Sequence, residues 1–128
     1  MPNQILIVDD SVVSLHILRS LFKNQGEFTI CGEAQSGREA VEKILACHPD
    51  LIIIDYSMPG MNGSEAATKI REKHPTPPII MLTDFKGEFL DQQASKASIS
   101  VVLSKADNID KVFDFARILL RPAAALAV

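Results

Sequence analysis

The chain has 128 residues, 47% of them hydrophobic and 23% charged, which supplies one globular core and is too short for a second full domain. Its 13 basic residues are scattered among 16 acidic ones for a net charge of -3, which argues against a grip on duplex DNA, because phosphate neutralisation needs clustered Lys and Arg. No apolar run approaches membrane-spanning length and "MPNQILIVDD" lacks the basic-then-apolar form of a secretory signal, so a cytosolic protein without membrane contact is expected.

Apolar runs alternate with amphipathic stretches along the chain. "QILIVDD" predicts a strand that stops at two aspartates, and "SVVSLHILRSLFKNQG" a helix with Val12, Leu15, Leu18 and Phe22 at helical spacing and Gly26 as its stop. "FTICGEA" predicts a second strand. "SGREAVEKILACHP" opens with Ser36 and Glu39 at capping-box spacing and places Val41, Ile44 and Leu45 on one face. "DLIIID" is apolar on every residue between its acidic ends, which suits a central strand covered on both faces. After a turn over Pro59–Gly63, Asn62 and Glu65 are set to cap a helix running through Arg71, where "HPTPP" breaks it. "PIIMLTD" predicts the fourth strand, "GEFLDQQASKA" a weak helix with Phe89, Leu90 and Ala94, and "SVVLSK" the fifth strand, with Phe85 and Phe89 expected to be partly buried. "DNIDKVFDFARILLR" predicts the last helix, with Ile109, Val112, Phe113, Ala116 and Leu119 or Leu120 inward. Cys31 and Cys47 form no C-x-x-C pair and are expected as two reduced, buried thiols. Met58, Met61 and Met81 are expected to pack.

Five strand–helix units in a row imply a doubly wound α/β fold, with helices on both faces of a parallel sheet and a ligand crevice beyond the carboxyl ends of the strands. Those ends carry Asp9 and Asp10, Asp55, Thr83 and Asp84, and Lys105. Three carboxylates converging there repel one another unless a cation compensates them. Oxygen ligands with room for water suit Mg²⁺, whereas zinc would call for Cys or His, and His16, His48 and His74 lie on separate helices or their ends. A crevice holding Mg²⁺, an ammonium, a hydroxyl and a central carboxylate has the parts for phosphoryl transfer onto Asp55, with Thr83 and Lys105 contacting the phosphoryl oxygens. Taken alone, Asp9 and Asp10 equally well terminate a strand and favour the next helix N-terminus.

"ILIVDDS", "DLIIIDYSMPGMNG", "PIIMLTD" and "VVLSKAD", in this order and spacing, resemble the CheY-like receiver domain of two-component response regulators over about Gln4 to Arg121. "GEAQSGREAV" and "PGMNGSEAATKIRE" lean towards nitrate-response, LuxR-type receivers. The resemblance implies a flavodoxin-like sheet in the order 2-1-3-4-5 and a receiver over residues 1–121, with 122–128 as a tail or the start of a linker. It implies phosphorylation of Asp55 by a histidine kinase or phosphotransfer protein. Mg²⁺ would be held by Asp10, Asp55 and the backbone carbonyl of Ser57, with Asp9 acting through water. Thr83 and Lys105 would report the phosphoryl group, and the face of helix four, strand five and helix five would meet an effector or a second copy. Such a chain is a signalling domain rather than an enzyme, catalysing at most its own phosphorylation and dephosphorylation.

Three positions depart from that pattern. Val102 stands where receivers usually carry an aromatic, Ala106 replaces the common proline after the lysine so that no cis peptide is expected, and Asp84 stands where a small residue usually follows the threonine. Two alternatives within the family are a degenerate receiver that docks without phosphorylation and a receiver cut from a longer DNA-binding regulator. A flavodoxin-like nucleotide binder is disfavoured because "VDDSVVS" puts negative charge where a phosphate loop would sit. An aspartyl-phosphate phosphatase would have a second acid at Ser57.

Overall fold

The computed structural model describes residues 2–84, 87–105 and 110–121. Strands and helices alternate in the order β1 (Asn3–Val8), α1 (Val12–Lys23), β2 (Phe28–Ala34), α2 (Gly37–Cys47), β3 (Leu51–Asp55), α3 (Gly63–Lys73), β4 (Ile79–Thr83), α4 (Glu88–Lys96), β5 (Val101–Ser104) and α5 (Asp110–Leu119). The strands form one parallel sheet, as the alternation predicts, in the order β2-β1-β3-β4-β5 that the resemblance implies.

Side chains alternate across a strand, so each central strand feeds two cores. Ile5, Ile7, Leu51, Ile53, Ile80 and Leu82 meet Leu15, Leu18 and Phe22 of α1 and Val112, Phe113 and Ala116 of α5. On the opposite face Leu6, Val8, Ile52, Ile54, Ile79 and Met81 meet α2, α3 and α4 through Ala40, Ile44, Ala66, Ala67, Ile70, Leu90 and Ala94. Every residue of β3 is buried, and each fully buried aliphatic side chain there contributes about 1.5–3 kcal/mol, which holds the central strand and the acid at its end in place.

Asn62 and Glu65 form the full capping box expected of them, and Ser11 Oγ accepts from Ser14 N at 3.2 Å at the start of α1. Ser36 Oγ accepts from Glu39 N, but the Glu39 carboxylate accepts from Gln35 N, one residue before the cap, so that box is displaced by a residue. α3 runs two residues beyond the predicted end, to Lys73.

Several inward assignments are corrected. Val12 is exposed because it opens the first turn of α1, beyond the core. Leu45 is exposed because Gly37, Ala40 and Ile44 set the inner face of α2 and Leu45 lies about 100° round from it. Phe89 is 69% exposed for the same reason beside Leu90 and Ala94. Ile109, Phe85 and Ala106 lie outside the described residues. Met58 and Met81 are buried and Met61 packs against the same core, as expected of packing methionines.

The cysteine expectation also fails. Cys31 and Cys47 are joined as a disulfide with their Cα atoms 5.5 Å apart, and both are partly rather than fully buried. The cause lies in the β1–β2 register, where Ile5 faces Ile30 and Leu6 faces Gly32, so Cys31 is the extra residue of a bulge and comes opposite the last residue of α2.

Candidate functional site

The sheet ends carry the site. Asp9 follows β1, Asp55 closes β3, Thr83 closes β4 and Lys105 follows β5. The backbone pins these ends to each other: Asp9 N donates to Ala34 O at 3.0 Å, Tyr56 N to Leu82 O at 2.9 Å, and Lys105 N to Thr83 O at 2.8 Å. Carboxylate oxygens of Asp9, Asp10 and Asp55 lie within 4.8 Å of one another, as the strand-end reading predicts, and among the described residues no His or Cys joins them. Asp9 is 1%, Asp55 4% and Thr83 0% exposed, while Asp10 is exposed at the crevice mouth. Ser57 is exposed in the loop two residues past Asp55, and Asp84 is exposed outside the carboxylate cluster.

Lys105 reaches across the sheet edge to the acids. Its Nζ lies 2.9 Å from Asp9 Oδ2 and 3.1 Å from Asp55 Oδ1, bridging the two buried acids. Burial disfavours its charge, but the hydrogen bonds and charges of both acids outweigh that and hold its pKa above the ordinary value. Asp9 Oδ1 also accepts from Ser11 N at 2.9 Å, so Asp9 is held from both sides. Burial, then the neighbouring Asp9 charge, pushes the Asp55 carboxyl up to about 6 against the pull of Lys105. Three carboxylates facing one ammonium leave surplus negative charge on oxygen atoms only. That donor set fits a hard divalent cation such as Mg²⁺.

Two features of the site are not visible in residue types alone. Gly63 N donates to Tyr56 O at 2.8 Å, and a Cβ on Gly63 would lie 2.5 Å from Asp55 O and 2.9 Å from Tyr56 Cα. Backbone cannot yield as a flexible side chain does, so Gly63→Ala is expected to lower stability by about 1–3 kcal/mol, read as a drop in the urea midpoint, and to displace Asp55. An unchanged midpoint would contradict this reading of the close approach. Tyr56 Oη also donates to Gln93 Oε1 at 3.1 Å, linking the residue after Asp55 directly to α4. The "PGMNG" turn signals the glycine, whereas nothing local to Tyr56 signals Gln93. A groove of about 780 Å³ between α2 and α3 is lined by none of Asp9, Asp10 and Asp55.

The response regulator receiver domain family matches residues 5–117. The chain belongs to that family. This receiver is 35% identical over 99 residues to a protein-glutamate methylesterase/protein-glutamine glutaminase of Pyrococcus abyssi, covering 77% of the chain and 25% of that protein. It is 44% identical over 88 residues to the transcriptional regulatory protein YdfI of Bacillus subtilis, covering 69% of the chain and 41% of that protein. The receiver therefore spans well under half the length of either relative. It is also similar to a solved CheX–CheY–BeF3–Mg²⁺ complex of Borrelia burgdorferi, with a TM-score of 0.87 and 27% identity over 95% of this chain and 92% of that one. The flavodoxin-like, CheY-type fold is thereby established, with strand order 2-1-3-4-5. Likeness to a methylesterase as well as to a transcriptional regulator leaves the narrower LuxR-type leaning unselected. Among the described residues no helix is long and apolar enough to cross a membrane.

Proposed function

We propose that this receiver accepts a phosphoryl group on Asp55 from a histidine kinase or phosphotransfer protein in the cytoplasm, in a Mg²⁺-dependent reaction, and signals by a change in shape. The carrying observation is the burial of Asp55 at the end of the central strand, in contact with both Lys105 and the acidic pair. A carboxylate oxygen of Asp55 attacks the phosphorus of a donor phosphohistidine. The new P–O bond forms as the P–N bond breaks, and the imidazole nitrogen leaves with the electron pair. Lys105 and the Thr83 hydroxyl stabilise the phosphoryl oxygens. Asp10, Asp55 and the Ser57 carbonyl, with Asp9 through water, would hold Mg²⁺, which supplies further positive charge to those oxygens. Val12, Val13 and Ile17 are exposed on α1, Ile17 beside Asp9 and Lys105, and suit docking of a protein donor rather than a free metabolite.

Beryllofluoride with and without Mg²⁺, followed by heteronuclear NMR, tests this reading. Mg²⁺-dependent shifts are expected at Thr83 and Lys105, continuing through Tyr56 to Gln93 and Phe89 on α4, the helix that offers an effector or homodimer face. Wild-type shifts that persist in Asp55→Asn would contradict the assignment. A folded wild type that binds Mg²⁺ without shifting would instead favour docking without phosphorylation. Asp84 places a negative charge beside Thr83 that opposes an anionic phosphodonor. Asp84→Ala is expected to speed phosphorylation severalfold, and equal rates in a stopped assay would remove that role.

A further inference from the structure

Cys31 and Cys47 lie on the α2 side of the sheet, outside the acidic crevice. They are the chain's only cysteines, so any intramolecular disulfide must join them. The bulge carries Cys31 towards the end of α2, and the 5.5 Å Cα separation of the bonded pair lies within the range a disulfide spans. A Cβ on Gly32 would lie 3.4 Å from Cys47 Sγ, so the small residue beside Cys31 leaves room for the sulfur pair. Both cysteines are partly exposed, within reach of a small solute. The bond would tie the last turn of α2, where His48 caps in the left-handed conformation, to the edge strand β2.

We propose that Cys31 and Cys47 form a reversible thiol–disulfide site that takes a small-molecule disulfide, such as glutathione disulfide, as its oxidant and staples α2 to β2 when oxidised. One cysteine thiolate attacks a sulfur of the small disulfide and expels one thiol, leaving a mixed disulfide. The second cysteine attacks the protein sulfur of that mixed disulfide and releases the second thiol. The two cysteines together lose two electrons and two protons, and the small disulfide becomes two thiols. The bond closes the segment holding Ser36, Gly37 and Val41, which line the α2–α3 groove, so oxidation sets how firmly that wall of the groove is held. None of this chemistry depends on Asp55.

The test equilibrates the full chain across glutathione redox buffers, quenches with acid, alkylates free thiols after denaturation and reads intact mass. Two labels are expected under reducing conditions and none under oxidising ones, with return of both labels on re-reduction and no dimer. Cys47→Ser, or Cys31→Ala if that variant is unstable, should instead carry a single glutathione adduct when oxidised. The thermal midpoint of the oxidised wild type should lie roughly 10 °C above that of the reduced form, as closing a loop of this length predicts. Two labels in every buffer would overturn the proposal, as would a bond that never opens in the folded chain or one that forms between chains.

Discussion

Asp55→Asn is expected to be more stable than the unsubstituted chain at pH 7 without divalent cation, by up to about 3 kcal/mol, and no more stable near pH 4. The Asp55 carboxyl titrates at about 6 in the fold against an ordinary 3.8. A raised pKa means that the folded protein binds this proton more tightly than the unfolded chain does. Stability is therefore fully present below about pH 4 and declines as pH rises towards 6, where the buried charge must form beside Asp9. Asparagine never takes that charge. Urea unfolding at pH 4 and 7 measures the difference, and added Mg²⁺ should narrow it at pH 7 by stabilising only the carboxylate form. Equal stabilities at both pH values would mean that Asp55 is not under this strain.

The second large effect concerns Lys105. Lys105→Met leaves Asp9 and Asp55 buried without their shared ammonium, and removing one partner of a buried ion pair costs several kcal/mol. Because the lysine side chain is about a quarter exposed, a loss of about 2–3 kcal/mol at pH 7 is expected after allowing for solvent screening. The loss should shrink on acidification, as the carboxyls become neutral, and on adding Mg²⁺, which replaces the missing charge. Denaturant titrations with Mg²⁺ or with a chelator separate these cases. A loss independent of both pH and Mg²⁺ would make Lys105 a packing residue only.

Much of this molecule is legible before any coordinates. The run "LIIID" announces a central strand because no face of it tolerates water, and the rule that ligands gather at strand carboxyl ends brings Asp9, Asp10, Asp55, Thr83 and Lys105 to one edge of the fold. Their mutual arrangement is less legible. Strand order places Lys105 two strands from Asp55, yet its long side chain crosses to Asp9, and only three-dimensional reach decides that. The errors at Leu45 and Phe89 come from reading apolar identity as inwardness on short helices, where neighbours one residue apart face different ways. The Cys31–Cys47 pairing is hidden for another reason. A strand's alternation gives no sign of a bulge, and the bulge is what aligns Cys31 with the end of α2.

The proposed signalling role requires Asp55 to become an acyl phosphate. The most direct measurement incubates the chain with a small acyl phosphate and Mg²⁺, reduces the product with borohydride, and maps every aspartate-containing peptide of a proteolytic digest. Conversion of residue 55 alone to homoserine, lost with a chelator, is the predicted result. Conversion at Asp9, Asp10 or Asp84, or none in a folded chain that binds Mg²⁺, would contradict it.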